Sequence, residues 1–331
     1  MFRVFWSCFA CLVVCFWSGC SSSTGSTASQ SGSTSAGRHL DIVCTTGMVA
    51  DIVQQVAGSR ATVTALFGSV DPHTYEPTAK DVERILAADV VFYSGLLLEG
   101  PTQKTLERAA ARGRQVFAVT TSLEAETDYI RYPGGIKSHP DPHVWMDVSA
   151  WSRCVANVEQ VLSRIDPVGA ADYQSQAATY RQELEQLDAY ARESIASIPQ
   201  AQRQLVTAHD AFEYFSRAYS IPVRSVQGIS TESEAGTDDI NRLVDFLVTQ
   251  QVPAVFVEST VNQANLRAVI EGAARKGWSV SVAGELYSDA MGPTGTYEGT
   301  YLGMLDHNVT RITRALGGTA PERGLRGRLG E

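Results

Sequence analysis

Short β-branched segments alternate with helical patterns along the chain from residue 39 onwards. The strand-like runs cover 40–45, 61–67, 89–95 and 115–119 in the first half, and 204–208, 222–228, 254–259 and 279–284 in the second. Strands separated by helices need crossover connections, and these favour parallel sheets. The pattern predicts an α/β fold of two similar lobes, each a four-stranded mainly parallel sheet flanked by helices.

Between the two halves, residues 169–198 form a different pattern. Ala170 to Ile198 contain neither glycine nor proline, and apolar residues recur there at steps of three and four. These residues are Tyr173, Ala177, Tyr180, Leu184, Leu187, Ala191, Ile195 and Ile198. The spacing predicts one buried face of a single helix about 40 Å long. Such a helix joins two lobes as a strut, whereas a loop would join them as a loose hinge.

The N-terminus resembles an export signal. A basic residue precedes the apolar stretch 4–17, and Ser18-Gly19 stand directly before Cys20. We expect a signal peptide at 1–19, lipidation of Cys20, and a flexible Ser/Gly linker at 20–38. The alternative is an ordinary secretory signal in which Cys20 is incidental. The expected location is the cell envelope, in the periplasm or on the outer face of the cytoplasmic membrane, held by the lipid anchor.

We expect the folded body to divide into an N-terminal lobe at 39–168, the linking helix at 169–198, a C-terminal lobe at 199–318 and a mobile tail at 319–331. A net charge of −9, without a long basic run, excludes nucleic acid as a partner. Cys44 and Cys154 remain in this body. Their pairing stays open, since each is also suited to being a small buried hydrophobe.

Two of the six histidines, His73 and His143, occur in identical Asp-Pro-His steps. His209 directly follows a predicted strand, and Asp289 lies past the last one. All four residues therefore fall at carboxyl ends of strands, where open parallel sheets bind ligands. Three imidazoles and a carboxylate suit a transition-metal site, and the prolines limit the freedom of two of the rings.

Acidic residues near the three rings are candidates to hold the second ring nitrogens. Asp71, Asp141 and Asp210 stand close in sequence, and Glu258 lies at a strand end as a supporting or packing group. The plainer interpretation is that each loop histidine is exposed or caps a helix, and that Asp-Pro merely starts a turn. His39, His139 and His307 have incidental settings.

The ordered segments DPHTYEPT, DPHVWMD, LVTAHDAFEYF, VQGISTESEAG, VFVESTVN and GELYSDAMG resemble the substrate-binding lipoproteins of zinc and manganese ABC importers, the TroA-like periplasmic metal-binding family. The resemblance covers about residues 39–317. It implies His73, His143, His209 and Asp289 as ligands of one divalent ion and two α/β lobes joined by a backbone helix. It also implies a monomer that docks on an ABC-importer permease with a separate ATPase.

The resemblance leaves the metal open between two ions. Zinc relatives often carry a His-rich loop, whereas residues 122–142 here contain only His139; manganese relatives often have Glu at the third ligand, where this chain has His209. Three imidazoles favour Zn²⁺ over Mn²⁺, which prefers more oxygen donors. We expect capture to weaken as the imidazoles protonate, from about pH 6.5 downwards.

Two other functions fit some of these features. A zinc-dependent hydrolase would need a general base such as Glu258, but the chain has neither HExxH nor GxSxG. Four protein ligands also leave no position for a catalytic water. The second alternative is an envelope adhesin lipoprotein. A deletion strain that grows poorly when metal is scarce but attaches normally would favour a transporter over an adhesin.

Overall fold

A computed structural model of the protein describes residues 38–125, 129–132 and 139–330. The predicted signal peptide at 1–19, the lipidation site Cys20 and all but the last residue of the linker lie outside the described residues. Among the described helices, none combines the length and apolar character that a membrane span requires.

The first half of the chain, defined as the described residues before the linking helix, contains one four-stranded parallel sheet with the strand order β2-β1-β3-β4. The central strands are buried on both faces, as expected where helices cover a parallel sheet. The elements are β1 Leu40–Cys44, α1 Gly47–Ala57, β2 Ala61–Ala65, α2 Ala79–Ala87, β3 Val90–Tyr93, α3 Gln103–Ala111, β4 Val116–Ala118, α4 Thr121–Glu124 and α5 Val148–Ile165.

Side-chain caps fix where the helices next to the site begin. Thr78 and Asp81, spaced three residues apart, form a reciprocal capping box at the start of α2. Asp147 caps α5 by accepting a hydrogen bond from the backbone of Ala150. These caps satisfy backbone N–H groups at helix starts, and they end the loops that carry His73 and His143.

The predicted linking helix runs from Ala170 to Ala196 as one continuous helix, α6. Its buried face contains the predicted stripe from Tyr173 to Ile195 at steps of three and four. This face packs against α5 and α1 of the first half. The helix therefore supports the first half along its length and also reaches the second.

The second half, defined as the described residues after α6, contains the four predicted strands, all in parallel pairs. Their ladders form two pairs, β5–β6 and β7–β8; β5 lies beside β7, but no ladder joins these two among the described residues. Two features accompany the absence of a ladder between β5 and β7. β5 is only three residues long, and the pairing of β7 with β8 shifts register between Val255 and Phe256. The elements are β5 Leu205–Thr207, α7 Glu213–Tyr219, β6 Val223–Ser225, α8 Thr237–Thr249, β7 Ala254–Glu258, α9 Ala264–Arg275, β8 Ser281–Leu286 and α10 Tyr301–Ala315.

One apolar core runs through both halves. It joins Ile42 of β1, Trp151 of α5, Leu184 of α6 and Leu305 of α10, all of them fully buried. A shared core of this kind resists large relative motion, because separating the halves would expose packed apolar surface.

Both body cysteines belong to this core. Cys44 and Cys154 are free and buried in the structure, and burial raises the pKa of each thiol. Each therefore packs as a small hydrophobic side chain.

The C-terminal segment 319–331 differs from the expectation of a mobile tail. The backbone N–H of Leu325 donates to the buried carboxylate of Asp306 at 2.9 Å, and that of Gly330 donates to Glu298 at 2.7 Å. Chain termini are often mobile unless contacts hold them, and here two backbone N–H groups of the segment donate to side chains of the second half. The described part of this segment is packed against the second half.

Candidate metal centre

The four predicted ligands meet where the two halves of the chain face each other. His73 follows β2, and His143 lies between β4 and α5. His209 lies two residues past the end of β5, and Asp289 three residues past the end of β8. The carboxyl ends of parallel strands from both halves thus supply the donors, as expected for an open α/β sheet.

The donor atoms form a compact and buried cluster. One donor from each of the four residues lies within 4.8 Å of all the others. His73 Nε2 lies 3.2 Å from His143 Nε2, and the two carboxylate oxygens of Asp289 lie 3.3 Å from His143 Nε2 and 3.2 Å from His209 Nε2. The residues are at most 4% exposed. The structure therefore brings together all four residues named from the sequence.

The cluster contains polar atoms that the described part of the chain leaves unsatisfied. Both oxygens of Asp289 and Nε2 of His209 are buried there without a partner in hydrogen-bond geometry. A buried carboxylate in this condition is costly unless a cation or a donor reaches it. A divalent ion held by the three Nε2 atoms and the carboxylate would satisfy these atoms together, and the donor set is one that transition metals accept.

The repeated Asp-Pro-His step has a common geometry. In each copy the aspartate Oδ1 accepts the backbone N–H of the histidine two residues later, at 2.9 Å for Asp71–His73 and 3.0 Å for Asp141–His143. This short Asx-type turn, with proline in the middle, fixes the backbone that carries each ring. Asp141 also contacts Nδ1 of His143 at 2.8 Å.

The other two acidic candidates differ in what they touch. Glu258 lies 2.5 Å from Nδ1 of His209 and accepts the backbone N–H groups of Ala208 and His209, each at 2.8 Å. Among the described contacts, the carboxylate of Asp210 makes no hydrogen bond to an imidazole.

The surroundings of the three imidazoles shift their pKa values in different directions. Burial is the main cause that lowers the pKa of His73, to about 4. Burial also acts against the charged form of His143, but its contacts with Asp141 and Asp289 outweigh this and raise the pKa to about 9. For His209 burial is likewise outweighed, and the charges of Glu258 and Asp289 raise the pKa well above its usual value.

Asp289 contacts the rings of both His143 and His209, and its pKa shifts in the opposite direction to theirs. Burial alone would raise the pKa of Asp289, yet the charge of His209 and the contact with His143 hold it well below its usual range. In the metal-free site these shifts favour the ionised form of Asp289 and proton retention on His143 and His209. An arriving dication has to displace these protons, since a ligating nitrogen must be deprotonated.

A surface pocket of about 310 Å³ adjoins the cluster beside His73. Leu97, Gly100, Pro142 and Ile229 are among its walls, so residues of both halves line it. His73 is the most exposed of the four ligands, at 4%. This side is where the cluster comes nearest to solvent.

The sequence reasoning missed one residue that joins the halves at the site. Trp145 is fully buried, and its indole Nε1 donates to the backbone oxygen of Ser288, next to Asp289, at 2.9 Å. Its only signal in the sequence was a tryptophan two residues after His143, between Val144 and Met146. That position alone does not reveal a partner 143 residues away.

Two lobes joined by a helix, with a buried nitrogen–oxygen donor cluster between them, define the class of solute-binding proteins that take up a metal ion. Residues 42–315 match the family described as ZnuA, zinc-uptake complex component A, periplasmic. The chain belongs to this family. It is thus an extracytoplasmic metal-binding protein of an ABC importer, with a divalent metal site at His73, His143, His209 and Asp289.

Individual relatives agree with this assignment. The manganese-binding lipoprotein MntA of Bacillus subtilis (strain 168) is 42% identical over 283 residues, which are 85% of this chain and 91% of that protein. The solved periplasmic zinc-binding protein TroA of Treponema pallidum has a TM-score of 0.79 at 39% identity, covering 84% of this chain and 99% of that one. Fe(III)-bound YtgA of Chlamydia trachomatis has a TM-score of 0.77 at 30% identity, covering 86% of this chain and all of that one (100%).

Membership of a substrate-binding family settles two of the open questions. The protein is not an enzyme, so the zinc-hydrolase alternative is excluded. A solute-binding protein of an ABC transporter also implies a membrane permease as its partner.

Proposed function

We propose that the protein captures Zn²⁺ outside the cytoplasm and delivers it to its permease. The ion would be held by Nε2 of His73, His143 and His209 and by the carboxylate of Asp289. One observation carries this proposal: the donor atoms of three imidazoles and one carboxylate converge within 4.8 Å of one another in a buried cluster. Four protein ligands that close the coordination shell suit storage and transfer, whereas catalysis needs an open position.

The donor chemistry supports zinc as the transported ion. Three imidazoles outnumber the single carboxylate, and imidazole nitrogen suits zinc better than manganese. Mn²⁺ is the alternative ion, and one feature favours it. The two oxygens of Asp289 point at different histidines, so the carboxylate can bind an ion through both and provide the additional oxygen donor that manganese prefers.

The acidic groups behind the rings have separate roles in this proposal. Asp141 and Glu258 hold the Nδ1 atoms of His143 and His209, which leaves each Nε2 free to bind the ion. Asp71 positions the backbone of His73 and accepts a hydrogen bond from the hydroxyl of Thr231 across the gap between the halves. Asp210 makes no described hydrogen bond to a ring, and it acts on His143 and His209 through its charge alone.

Several finer features of the proposal concern assembly. The protein works as a monomer, anchored by lipid at Cys20 after removal of residues 1–19. The linker at 20–38 separates the anchor from the lobes at 39–168 and 199–318. The permease receives the ion and a separate ATPase supplies the energy. The extracytoplasmic location and the lipoprotein relatives support this arrangement.

Calorimetric titration of the metal-free protein with Zn²⁺ and with Mn²⁺ tests the proposal. We expect one tight site, tighter for Zn²⁺, that His209→Ala abolishes or weakens by at least about 100-fold, since a direct ligand is lost. His39→Ala is the matched control, because this exposed histidine contacts Thr62 outside the site. Tight binding by His209→Ala would refute the ligand assignment, and tighter binding of Mn²⁺ would reverse the choice of ion.

A further inference from the structure

Trp145 connects the two halves of the chain through two hydrogen bonds, one from its side chain and one to its backbone. Its indole Nε1 donates to the backbone oxygen of Ser288 at 2.9 Å, and its backbone oxygen accepts the hydroxyl of Tyr301 at 2.7 Å. Both partners belong to the second half, whereas Trp145 belongs to the first. All of these groups are buried, so water does not compete with the two hydrogen bonds.

The same residue contacts one proposed metal ligand and the neighbour of another, from opposite halves. The Trp145 ring packs at a steep angle against the His143 imidazole, with centroids 5.2 Å apart and planes at 66°, and Ser288, its hydrogen-bond partner, directly precedes Asp289. A rigid indole thus reaches from the ring of His143 to the peptide that carries Asp289. In the structure His143 Nε2 and Asp289 Oδ1 are 3.3 Å apart.

We propose that Trp145 is a positioning residue that holds His143 and Asp289 at the separation needed to bind one ion. This inference rests on the proposed function, because it assumes that both residues are ligands. Without the indole N–H, Ser288 would lose its tie to the first half and Asp289 would be free to move relative to His143. The site would then have to be ordered at the moment of binding, at a cost in affinity.

The chain supplies a matched control for this idea. Trp151 is a second fully buried tryptophan of the same core, and its ring lies 6.4 Å from that of Trp145. Its indole Nε1 has no hydrogen-bond partner among the described residues. Replacing either tryptophan by phenylalanine removes a similar volume from the same region, but only Trp145→Phe removes a hydrogen bond to the Asp289 loop.

The test uses Co²⁺ as a spectroscopic probe, together with Zn²⁺ affinity and release rates. For Trp145→Phe we expect Zn²⁺ affinity to fall by about 10-fold or more, as for other groups that orient ligands. We also expect altered visible absorption bands of bound Co²⁺, because these bands report the arrangement of the donors. Trp151→Phe should keep both the bands and the affinity of the unaltered protein.

Equal affinity and equal Co²⁺ bands in the two variants would overturn the proposal, since cavity formation alone would then explain the data. If Trp145→Phe does not fold, Tyr301→Phe serves instead, because it removes only the hydroxyl that holds the Trp145 carbonyl. It should shift the Co²⁺ bands in the same direction, and unchanged bands would count against the proposal. His209→Ala distinguishes failure of the ligand assignment from failure of the positioning role of Trp145. If this variant binds Zn²⁺ normally, the proposed metal site is wrong, independently of the result for Trp145→Phe.

Discussion

Glu258 and His209 lie 49 residues apart in the chain, yet one carboxylate oxygen of Glu258 is 2.5 Å from Nδ1 of His209. The other oxygen accepts two backbone N–H groups, from Ala208 and His209. The contact arises because β5 and β7 lie side by side and both end at this edge. Glu258 therefore fixes both the backbone of His209 and the nitrogen that carries its proton.

Replacing Glu258 by Gln should weaken metal binding by about 10- to 100-fold. The amide oxygen can still accept the two backbone donors, which leaves the NH₂ group facing Nδ1 of His209. Nδ1 must then accept a hydrogen bond, so the proton of the neutral ring moves to Nε2, the atom proposed to bind the ion. Competition with a chromophoric chelator measures the affinity.

The control for Glu258→Gln is Glu285→Gln, which makes the same chemical change at an exposed position of β8. Equal affinities in the two variants would show that the Glu258 contact does not orient His209.

Gly100 should be necessary for the position of His73. A Cβ atom at Gly100 would lie 2.1 Å from the backbone oxygen of His73, and φ at this residue is +42°. Gly100→Ala must therefore displace the loop that carries His73, and we expect metal affinity to fall by at least about 10-fold. Titration calorimetry of the metal-free variant gives this value.

Gly113→Ala separates this clash from backbone strain. Gly113 also has a positive φ, +81°, but a Cβ atom added there would meet no other described atom within 4 Å. Both variants should lose about 1 kcal/mol of stability from the left-handed conformation. Only Gly100→Ala should lose metal affinity, and parallel losses in both would refute the role of the His73 contact.

Metal binding should release protons at neutral pH. The pKa of His143 is raised to about 9 and that of His209 is raised well above its usual value, so both rings retain protons to a higher pH than a free imidazole and the ion must displace them. Affinity should therefore keep rising between about pH 6.5 and 9, as fewer protons compete. The raised pKa values thus place the pH dependence of metal affinity above about pH 6.5, the value expected for unperturbed imidazoles.

Calorimetry at pH 7 in buffers of different ionisation enthalpy counts the protons released per ion. We expect more than one. A count of zero would show that both imidazoles are neutral in the metal-free protein, and would contradict the raised pKa values.

Deleting residues 319–331 should lower the free energy of unfolding by about 1–3 kcal/mol, because the buried carboxylate of Asp306 loses the N–H of Leu325. A shorter deletion of 328–331 keeps this hydrogen bond and should cost less. Urea unfolding of the two truncated proteins measures the difference. Equal stability of the full-length chain and the longer deletion would support a tail that is mobile in solution.

Much of the fold could be predicted because it depends on local periodicity. The buried face of α6, from Tyr173 to Ile195, is visible in the sequence as steps of three and four. The division of the second sheet into β5–β6 and β7–β8 was not predictable, because hydrogen bonding between distant strands has no local signal. The same holds for the tail, since the partner of Leu325 is a buried aspartate on α10.

The four residues that supply the donor atoms of the site could be predicted from the sequence. The ends of strands in a parallel sheet meet at one edge, so His209 and Asp289 could be placed there from the strand pattern alone. Supporting residues were harder to assign. Asp141 precedes His143 by two residues and contacts its ring, whereas no described hydrogen bond joins Asp210 to the ring of His209, which it follows directly. Proximity in the chain therefore predicted the contact of Asp141 correctly but did not identify which aspartates touch the rings.

A crystal structure of the protein grown with Zn²⁺, with anomalous diffraction measured at the zinc edge, locates the bound ion. We expect one ion between the two halves, about 2.0–2.2 Å from Nε2 of His73, His143 and His209 and from a carboxylate oxygen of Asp289. An anomalous peak elsewhere, or an ion that leaves any of these four residues uncoordinated, would contradict it.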